Sequence, residues 1–228
     1  MIFIPVCNPN NELLKLIISL TKSYQIKVSD IFIINDHSDQ KKTYKLFRNI
    51  KKLGCIIIHN NLQKGKGASI KFSIKYAKQN KIHFMIFADG DGQHTPKDIF
   101  NIYKLSRENQ NNFIIGERDF KDAPFFNKFS NIFSSYLFNN ITNLDLSDTQ
   151  CGLRYIHYKH YNILLKIKEN KFDFELVSLF QLFRNHNTFQ KIKIDTVYFE
   201  FKYTSHFNKL FDTISIFKVF LKYKFFKY

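Results

Sequence analysis

Short apolar runs alternate with amphipathic stretches through the first half of the chain. Ile2-Phe3-Ile4-Pro5-Val6 ends at the turn signal Asn8-Pro9, and Ile31-Phe32-Ile33-Ile34 closes on Asn35-Asp36. Ile56-Ile57-Ile58 is a third run, and Phe84-Met85-Ile86-Phe87-Ala88 stops abruptly at Asp89-Gly90-Asp91-Gly92. Runs of this length bounded by turn residues predict buried strands. Between them, residues 11–24 place Leu13, Leu16, Ile17 and Leu20 at helical spacing. Residues 41–52 predict a polar helix, and 66–80 set Ile70, Ile74 and Ala77 on one face. Pro96 suits the first turn of a further helix. Continuous apolar strands separated by amphipathic helices predict an α/β fold, a mostly parallel central sheet with helices on both faces. Ligands of such sheets bind beyond the carboxyl ends of the strands. Asn8, Asn35-Asp36 and Asp89–Asp91 all fall at those ends, so they are expected to converge.

The second half is less regular. Phe113-Ile114-Ile115 predicts a strand ending at Gly116, followed by an aromatic helix over 127–142, a helix over 174–185 and an extended segment at Val197–Phe201. From 208 the chain predicts a helical tail with Leu210, Ile214, Phe217 and Leu221 on one stripe. A length of 228 residues supports one sizeable core rather than two. No internal repeat or Gly/Ser linker divides it. The expected organisation is one domain over 1–207, then a basic, aromatic helix over 208–228.

Composition changes the picture mainly through charge. Lys and Arg total 35 against 19 Asp and Glu, a formal net charge of +16. Such a balance points to an anionic partner. A coding bias toward Lys, Asn, Ile and Phe accounts for the lysines better than for the shortage of acids. Cys7, Cys55 and Cys151 are far apart and lack metal-ligand spacing, which fits a reducing compartment and argues against a disulfide framework. The first residues already read as a core strand, so no signal peptide is expected, and no apolar run approaches the ~18 residues of a membrane span.

Candidate chemistry collects at the strand ends. Asp89 and Asp91, two residues apart after a buried strand and followed by Gln93 and His94, make a hard oxygen site suited to Mg²⁺ or Mn²⁺. The spacing is not that of an EF-hand, which excludes calcium sensing. Asp36 is placed to accept hydrogen bonds from a base or ribose hydroxyl, or to cap the following helix. Lys64-Gly65-Lys66-Gly67 is a basic loop opening a helix, where backbone N–H groups favour a phosphate, although it lacks the spacing of a nucleoside-triphosphatase loop. Arg118 and Arg154 follow Gly116 and Gly152 and suggest bidentate phosphate or carboxylate binding. Asp148 is the best general-base candidate should an acceptor hydroxyl need one; otherwise it is a structural carboxylate bonded to its own turn.

Taken in order, these segments resemble a known family. They are Ile4-Pro5-Val6-Cys7-Asn8, Ile34-Asn35-Asp36-His37-Ser38, Lys64-Gly65-Lys66-Gly67, Ala88 through His94, Gly116-Glu117-Arg118, Asp148-Thr149-Gln150-Cys151-Gly152-Leu153-Arg154, Phe172-Asp173-Phe174-Glu175 and Ser205-His206-Phe207. Together they resemble the inverting family-two glycosyltransferases, most closely the polyprenyl-phosphate and dolichol-phosphate sugar transferases. The resemblance implies a GT-A fold, a UDP- or GDP-linked sugar donor, a divalent metal, and a polyprenyl-phosphate acceptor, or alternatively a hydroxyl acceptor of cell-surface polysaccharide. It implies donor contacts from Pro5, Asn8, Asp36, Lys64, Lys66, Asp89 and Gln93. Asp89, Asp91 and Gln93 would hold the metal, with Arg118 and Lys128 toward the acceptor phosphate. Asp89, Asp91, Arg118 and Asp148 would form the catalytic edge.

Three positions depart from the family pattern: Cys7 stands for an aromatic, His37 for a glycine and Glu117 for a serine. Glu117 sets an acid beside Arg118 in sequence. A nucleotidyltransferase and a non-catalytic basic module are the rival readings. The first lacks a glycine-rich signature after the opening strand, and the second leaves Asp89–Gln93 without a purpose. No nucleic-acid partner is expected. The aromatic and lysine residues of the tail, Phe217, Phe220, Leu221, Phe225 and Phe226 among Lys218, Lys222, Lys224 and Lys227, predict peripheral attachment to the cytoplasmic face of a membrane. For the helix over 127–142, the inner aromatics are expected in the core.

Overall fold

Seven strands form a single sheet in the order β3-β2-β1-β4-β6-β5-β7 in this computed structural model, which describes residues 1–61, 65–108, 113–120, 125–195, 197 and 217–224. The strands are β1 (Ile2–Val6), β2 (Ile31–Asp36), β3 (Ile56–Asn60), β4 (Phe84–Phe87), β5 (Phe113–Arg118), β6 (Arg154–His157) and β7 (Phe189–Ile194). β6 runs antiparallel to β4 and β5, and every other pairing is parallel. The carboxyl ends of six strands and the amino end of β6 therefore share one edge. The strand order reverses at β1, between β2 on one side and β4 on the other. Such a reversal leaves a crevice at the carboxyl edge.

The helices are α1 (Asn11–Lys22), α2 (Gln40–Lys52), α3 (Lys66–Gln79), α4 (Pro96–Glu108), α5 (Phe125–Thr142), α6 (Tyr161–Leu165), α7 (Asp173–Arg184) and α8 (217–224). α1 packs with α2 and α4, while α3 packs with α6 and α7. Their starts follow from local chemistry. Asn10 and Asp39 accept the N–H groups of Glu12 and Lys41 at 2.8 and 2.9 Å. Thr95 and Asp98 cap each other before Pro96. Leu13, Leu16, Ile17 and Leu20 of α1, and Ile70, Ile74 and Ala77 of α3, are buried as their spacing predicts. Pro5 is tolerated inside β1 because pairing with β4 ends at Phe3, where its missing N–H begins to face no strand.

Two strands are absent from the sequence expectation. β6 is a four-residue segment, Arg-Tyr-Ile-His, too short and too mixed to show a period. β7 is an edge strand carrying exposed Lys191 and Lys193, the charged pattern edges use against stray pairing. Of the segment expected to be extended at Val197–Phe201, only Val197 is among the described residues, and its N–H donates to the Gln93 carbonyl at 3.3 Å. Arg154, expected as a ligand-binding arginine, is instead buried. It donates to the carbonyls of Cys151, Glu175 and Thr149 and to the Ser178 hydroxyl, at 2.7 to 3.1 Å. It fastens the 149–151 turn to α7.

The tail also differs from expectation. Val219, Phe220 and Tyr223 of α8 are buried. Tyr223 stacks on Phe180 of α7 with centroids 4.3 Å apart, and Phe220 meets the same ring edge-on at 5.9 Å. Phe220 is thus a core residue rather than a membrane anchor, because α7 offers it an aromatic partner. Phe217 and Leu221 remain exposed, while Leu210, Ile214, Phe225 and Phe226 lie outside the described residues. No helix among the described residues is long and apolar enough to cross a membrane.

One buried group sets an acid limit on stability. His160 is fully buried against the edge of Phe113, and neither ring nitrogen has a hydrogen-bond partner among the described residues. Burial pushes its pKa from 6.5 down to about 4. The unfolded chain takes up this proton below its own pKa while the folded chain refuses it, so stability is full above pH 6.5 and falls toward pH 4. His160→Leu should remove about 1.4 kcal/mol per pH unit of that slope. Urea unfolding at several pH values across this window would detect it, and an unchanged slope would refute the assignment.

Candidate active site

The carboxyl edge gathers residues from five separate stretches of chain. Asp36 ends β2, and its Oδ2 accepts the Gly65 N–H at 3.0 Å. The next residue, Lys66, opens α3 and sends its ammonium to Asp89 Oδ1 at 2.8 Å and Glu175 Oε1 at 2.9 Å. Asp36 and Asp89 are thereby joined through two consecutive residues, and the predicted convergence is present. Two glycines make the approach possible. Gly65 has φ 118°, and a Cβ there would collide with the Asn170 carbonyl. A Cβ on Gly152 would lie 2.7 Å from Asp89 Oδ2 and 2.8 Å from Lys66 Nζ.

The charges in this cluster hold one another. Burial alone would lower the Lys66 pKa, but Asp89 and Glu175 outweigh it and hold the ammonium above its ordinary value. Burial would likewise raise Asp89, and the Lys66 charge with its hydrogen bond holds it below the usual carboxylate range instead. Asp91 behaves oppositely. Burial and the negative charge of Asp89 raise its pKa, against backbone hydrogen bonds that include the Gln93 N–H at 3.0 Å. His94 is buried beneath this turn, where its Nδ1 accepts the Asp89 N–H at 3.0 Å. Burial pushes its pKa down to about 4, so it is neutral, with its proton on Nε2.

Asp91 is a half-buried carboxylate on which the negative charge of Asp89 outweighs the positive charge of Lys66, with Gln93 two residues on in the same turn. This donor set fits a hard divalent cation. Among the described residues, no three His, Cys, Asp or Glu side chains cluster as a metal site by themselves. A cation here would complete its shell from Gln93, water or a bound diphosphate.

A second charged pair lies farther along the edge. Asp148, fully buried, takes a bidentate clamp from Arg118: Nε to Oδ2 at 2.5 Å and Nη2 to Oδ1 at 3.1 Å. It also accepts the Gln150 N–H at 2.9 Å. Arg118 Nη2 reaches Asn131 of α5 at 3.4 Å, and the arginine side chain keeps 17% exposure against 0% for Asp148. Glu117, adjacent to Arg118 in sequence, points the other way. It is buried and accepts the Ser147 N–H at 2.7 Å, so it does not neutralise Arg118. Strand alternation separates the two neighbours.

The remaining candidates are placed as follows. Asn8 has φ 52° and ties β1 to the next loop, its N–H donating to Ser38 Oγ and its Oδ1 accepting the Asp39 N–H. His37, where the resembling family carries glycine, has φ 55° and places Nδ1 2.9 Å from Asp36 Oδ1. The backbone conformation there is one glycine adopts freely and histidine only at a cost. Lys64 lies outside the described residues. Lys128 is exposed on α5. Glu175, His94 and Gly152 belong to the cluster but were not among the expected site residues. Glu175 stands in one of the segments that carry the family resemblance but was given no role there, and the fold shows that the start of α7 abuts α3.

The model of the family described as glycosyl transferase family 2 matches residues 1–174. An uncharacterized protein of Methanocaldococcus jannaschii is 31% identical over 163 residues, 67% of this chain and 69% of that protein. A UDP-N-acetylglucosamine–dolichyl-phosphate N-acetylglucosaminyltransferase of Methanococcus voltae is 22% identical over 207 residues, 82% of each chain. Among solved structures, glucosyl-3-phosphoglycerate synthase of Mycobacterium tuberculosis in complex with phosphoglyceric acid aligns with a TM-score of 0.71 at 9% identity, over 97% of this chain and 78% of that one. The same enzyme in complex with Mn²⁺, uridine-diphosphate and glucosyl-3-phosphoglycerate aligns with a TM-score of 0.63 at 10% identity, over 88% and 72%. At such identities the structural likeness concerns the fold.

Proposed function

Because the chain belongs to glycosyl transferase family 2, and is a glycosyltransferase of the GT-A fold, we propose that it moves a sugar from a UDP- or GDP-linked donor to the phosphate of a polyprenyl lipid, with inversion, at the cytoplasmic face of a membrane. The rival readings, a nucleotidyltransferase and a non-catalytic module, fall to the family membership. The dolichyl-phosphate acceptor in the name of the Methanococcus voltae relative supports the lipid reading, and the Mn²⁺ and uridine-diphosphate of the Mycobacterium tuberculosis complex support the donor side.

The observation that carries the acceptor is the clamp on Asp148. A hydroxyl acceptor needs a base, and the carboxylate best placed in sequence is buried, doubly bonded to Arg118 and bonded again by its own turn. An ionised phosphate needs no base. Its oxygen attacks the anomeric carbon from the face opposite the leaving group. The bond from that carbon to the diphosphate oxygen breaks, its electron pair stays on oxygen, and the nucleoside diphosphate departs. Lys66 and the N-terminal end of α3 face that departing charge, and Arg118 presents its guanidinium to the acceptor phosphate. A divalent cation, Mg²⁺ or Mn²⁺, held by Asp89, Asp91 and Gln93, would neutralise the diphosphate. Domain limits of 1–207 for the transferase and 208–228 for the tail are part of this proposal.

The test is transfer by the purified chain from a panel of UDP- and GDP-sugars, with each metal, to polyprenyl phosphate or to a hydroxyl acceptor. Sugar label in the lipid extract, with nucleoside diphosphate release that needs the lipid phosphate, is expected. Label on the hydroxyl acceptor alone would overturn the reading and return Asp148 as base. Arg118→Lys keeps a charge for Asp148 but loses the planar fork. It should lower kcat/KM for the lipid phosphate about tenfold or more while leaving donor affinity nearly unchanged. An equal loss in donor binding would put Arg118 on the wrong substrate.

A further inference from the structure

The outward face of α5 is apolar and exposed among the described residues. Phe129, Ile132, Phe133 and Tyr136 are 62, 51, 45 and 63% exposed. Their spacing puts them on one side of the helix, and the rings of Phe129 and Phe133 stack with planes 4° apart. The helix carries no acid, and its single charged residue, Lys128, is exposed at the head of the same strip. An exposed strip of large side chains marks an interaction surface.

The inner face of α5 does different work. Ser134 meets Thr149 at 2.8 Å, Ser135 donates to the Ser147 carbonyl at 3.0 Å, and Asn131 reaches Arg118 at 3.4 Å. Phe138 packs on Phe180. One helix therefore holds the Arg118–Asp148 pair on one side and shows an aromatic strip on the other, roughly 10 Å away across its diameter.

We propose that this face of α5 is the chain's bilayer contact, seated at the boundary between headgroups and acyl chains of an anionic leaflet. Charge selects the occupant. A chain of net charge +16, with a strip free of acids and led by a lysine, is attracted to an anionic surface and repelled by a second copy of itself. Phe and Tyr side chains suit the interfacial depth. Docked this way, the chain sets Arg118 within reach of a phosphate in the same leaflet, with the lipid's hydrocarbon left in the bilayer. The delivery of acceptor rests on the proposed lipid-phosphate substrate, whereas the contact itself does not. α8 contributes less, since only Phe217 and Leu221 of its described apolar side chains are exposed.

The experiment is co-sedimentation of the full chain with phosphatidylcholine vesicles, with and without phosphatidylglycerol and free of any acceptor, at low salt. The wild type should bind the anionic vesicles. The double variant Phe129→Ser, Phe133→Ser should bind about 30-fold more weakly or worse with an unchanged Tm, because both positions are exposed. Phe217→Ser with Leu221→Ser should cost less. Transfer to a short-chain, water-soluble polyprenyl phosphate should survive the α5 changes. Equal vesicle binding by the α5 variant, or binding abolished only by the α8 variant, would overturn the inference. So would a wild-type chain that ignores the vesicles, or a dimer seen by light scattering that the α5 variant dissolves. Lipid transfer with α5-independent binding would sink the contact and spare the acceptor. Vesicle binding through α5 with transfer only to a hydroxyl would do the reverse.

Discussion

Asp91→Asn should abolish metal-dependent turnover of the sugar donor, by about 10²-fold or more, while leaving the fold intact. Asn has the shape of Asp, and its amide oxygen still accepts the Gln93 N–H that Oδ1 accepts now. What disappears is the charge. In the folded chain that charge is a burden, because burial and Asp89 both raise the Asp91 pKa. Losing it should therefore leave Tm unchanged or slightly higher. A variant that is equally stable and inactive is what a ligand-holding carboxylate predicts, and a structural carboxylate would not produce that pair of results. Nucleoside diphosphate release with Mn²⁺ and with Mg²⁺, beside a thermal melt, measures both. Wild-type turnover in this variant would remove Asp91 from the metal assignment.

Lys66→Met has its largest effect on stability instead. It strands Asp89 and Glu175, whose side chains are 23% and 5% exposed, without their shared cation. Breaking a buried ion pair from one side costs about 3–5 kcal/mol, because a charge is left without compensation. The pH dependence has a definite sign. Asp89 is held below its ordinary value of 3.8, so its contribution is present above that pH and is lost as pH falls further. The gap between wild type and variant should be widest near neutral pH and should narrow in acid, where the stranded carboxylates take up protons. Adding Glu175→Gln should recover part of the loss. Urea unfolding at neutral and acid pH, with the double variant, tests this. A Lys66→Met chain as stable as the wild type would show that the cluster is not held by charge.

How much of this could be read from the chain depends on where the information lies. The parallel half was legible because its strands are continuous apolar runs, buried in β1 and β2 and half-buried at the β3 edge, and each helix shows its stripe locally. Ile31–Ile34 and Leu13, Leu16, Ile17 and Leu20 need no partner to declare themselves. Asp36, Lys66 and Asp89 were legible as candidates because strand ends in this architecture face one edge. β6 and β7 were not, since their strand character comes from neighbours that the local sequence does not name. Glu175 was visible as part of a matching segment but not in its role, because that role is a contact with Lys66, which is distant in sequence. Arg154 shows the opposite error. Its residue type suggested a ligand, but the carbonyls around it come from two other elements and use its donors for the fold. The departure at Glu117 proved harmless to Arg118 because strand alternation sends the two side chains apart.

The place of β6 in the sheet also orders events during synthesis. β1 to β4 are neighbours in the order β3-β2-β1-β4, so a four-stranded parallel sheet is complete in principle once residue 87 has left the ribosome, with one edge of β4 still open for β6. β5, which carries Arg118, has both its neighbours, β6 and β7, later in the chain. It must wait unpaired through α5 until Arg154–His157 arrives to bridge it to β4. At ~5–20 residues per second that wait lasts on the order of seconds. For most of it α5 lacks Ser147, Thr149 and Phe180, the partners of its inner face, and Lys66 lacks Glu175. A chaperone or a nearby membrane would find its opportunity in that interval.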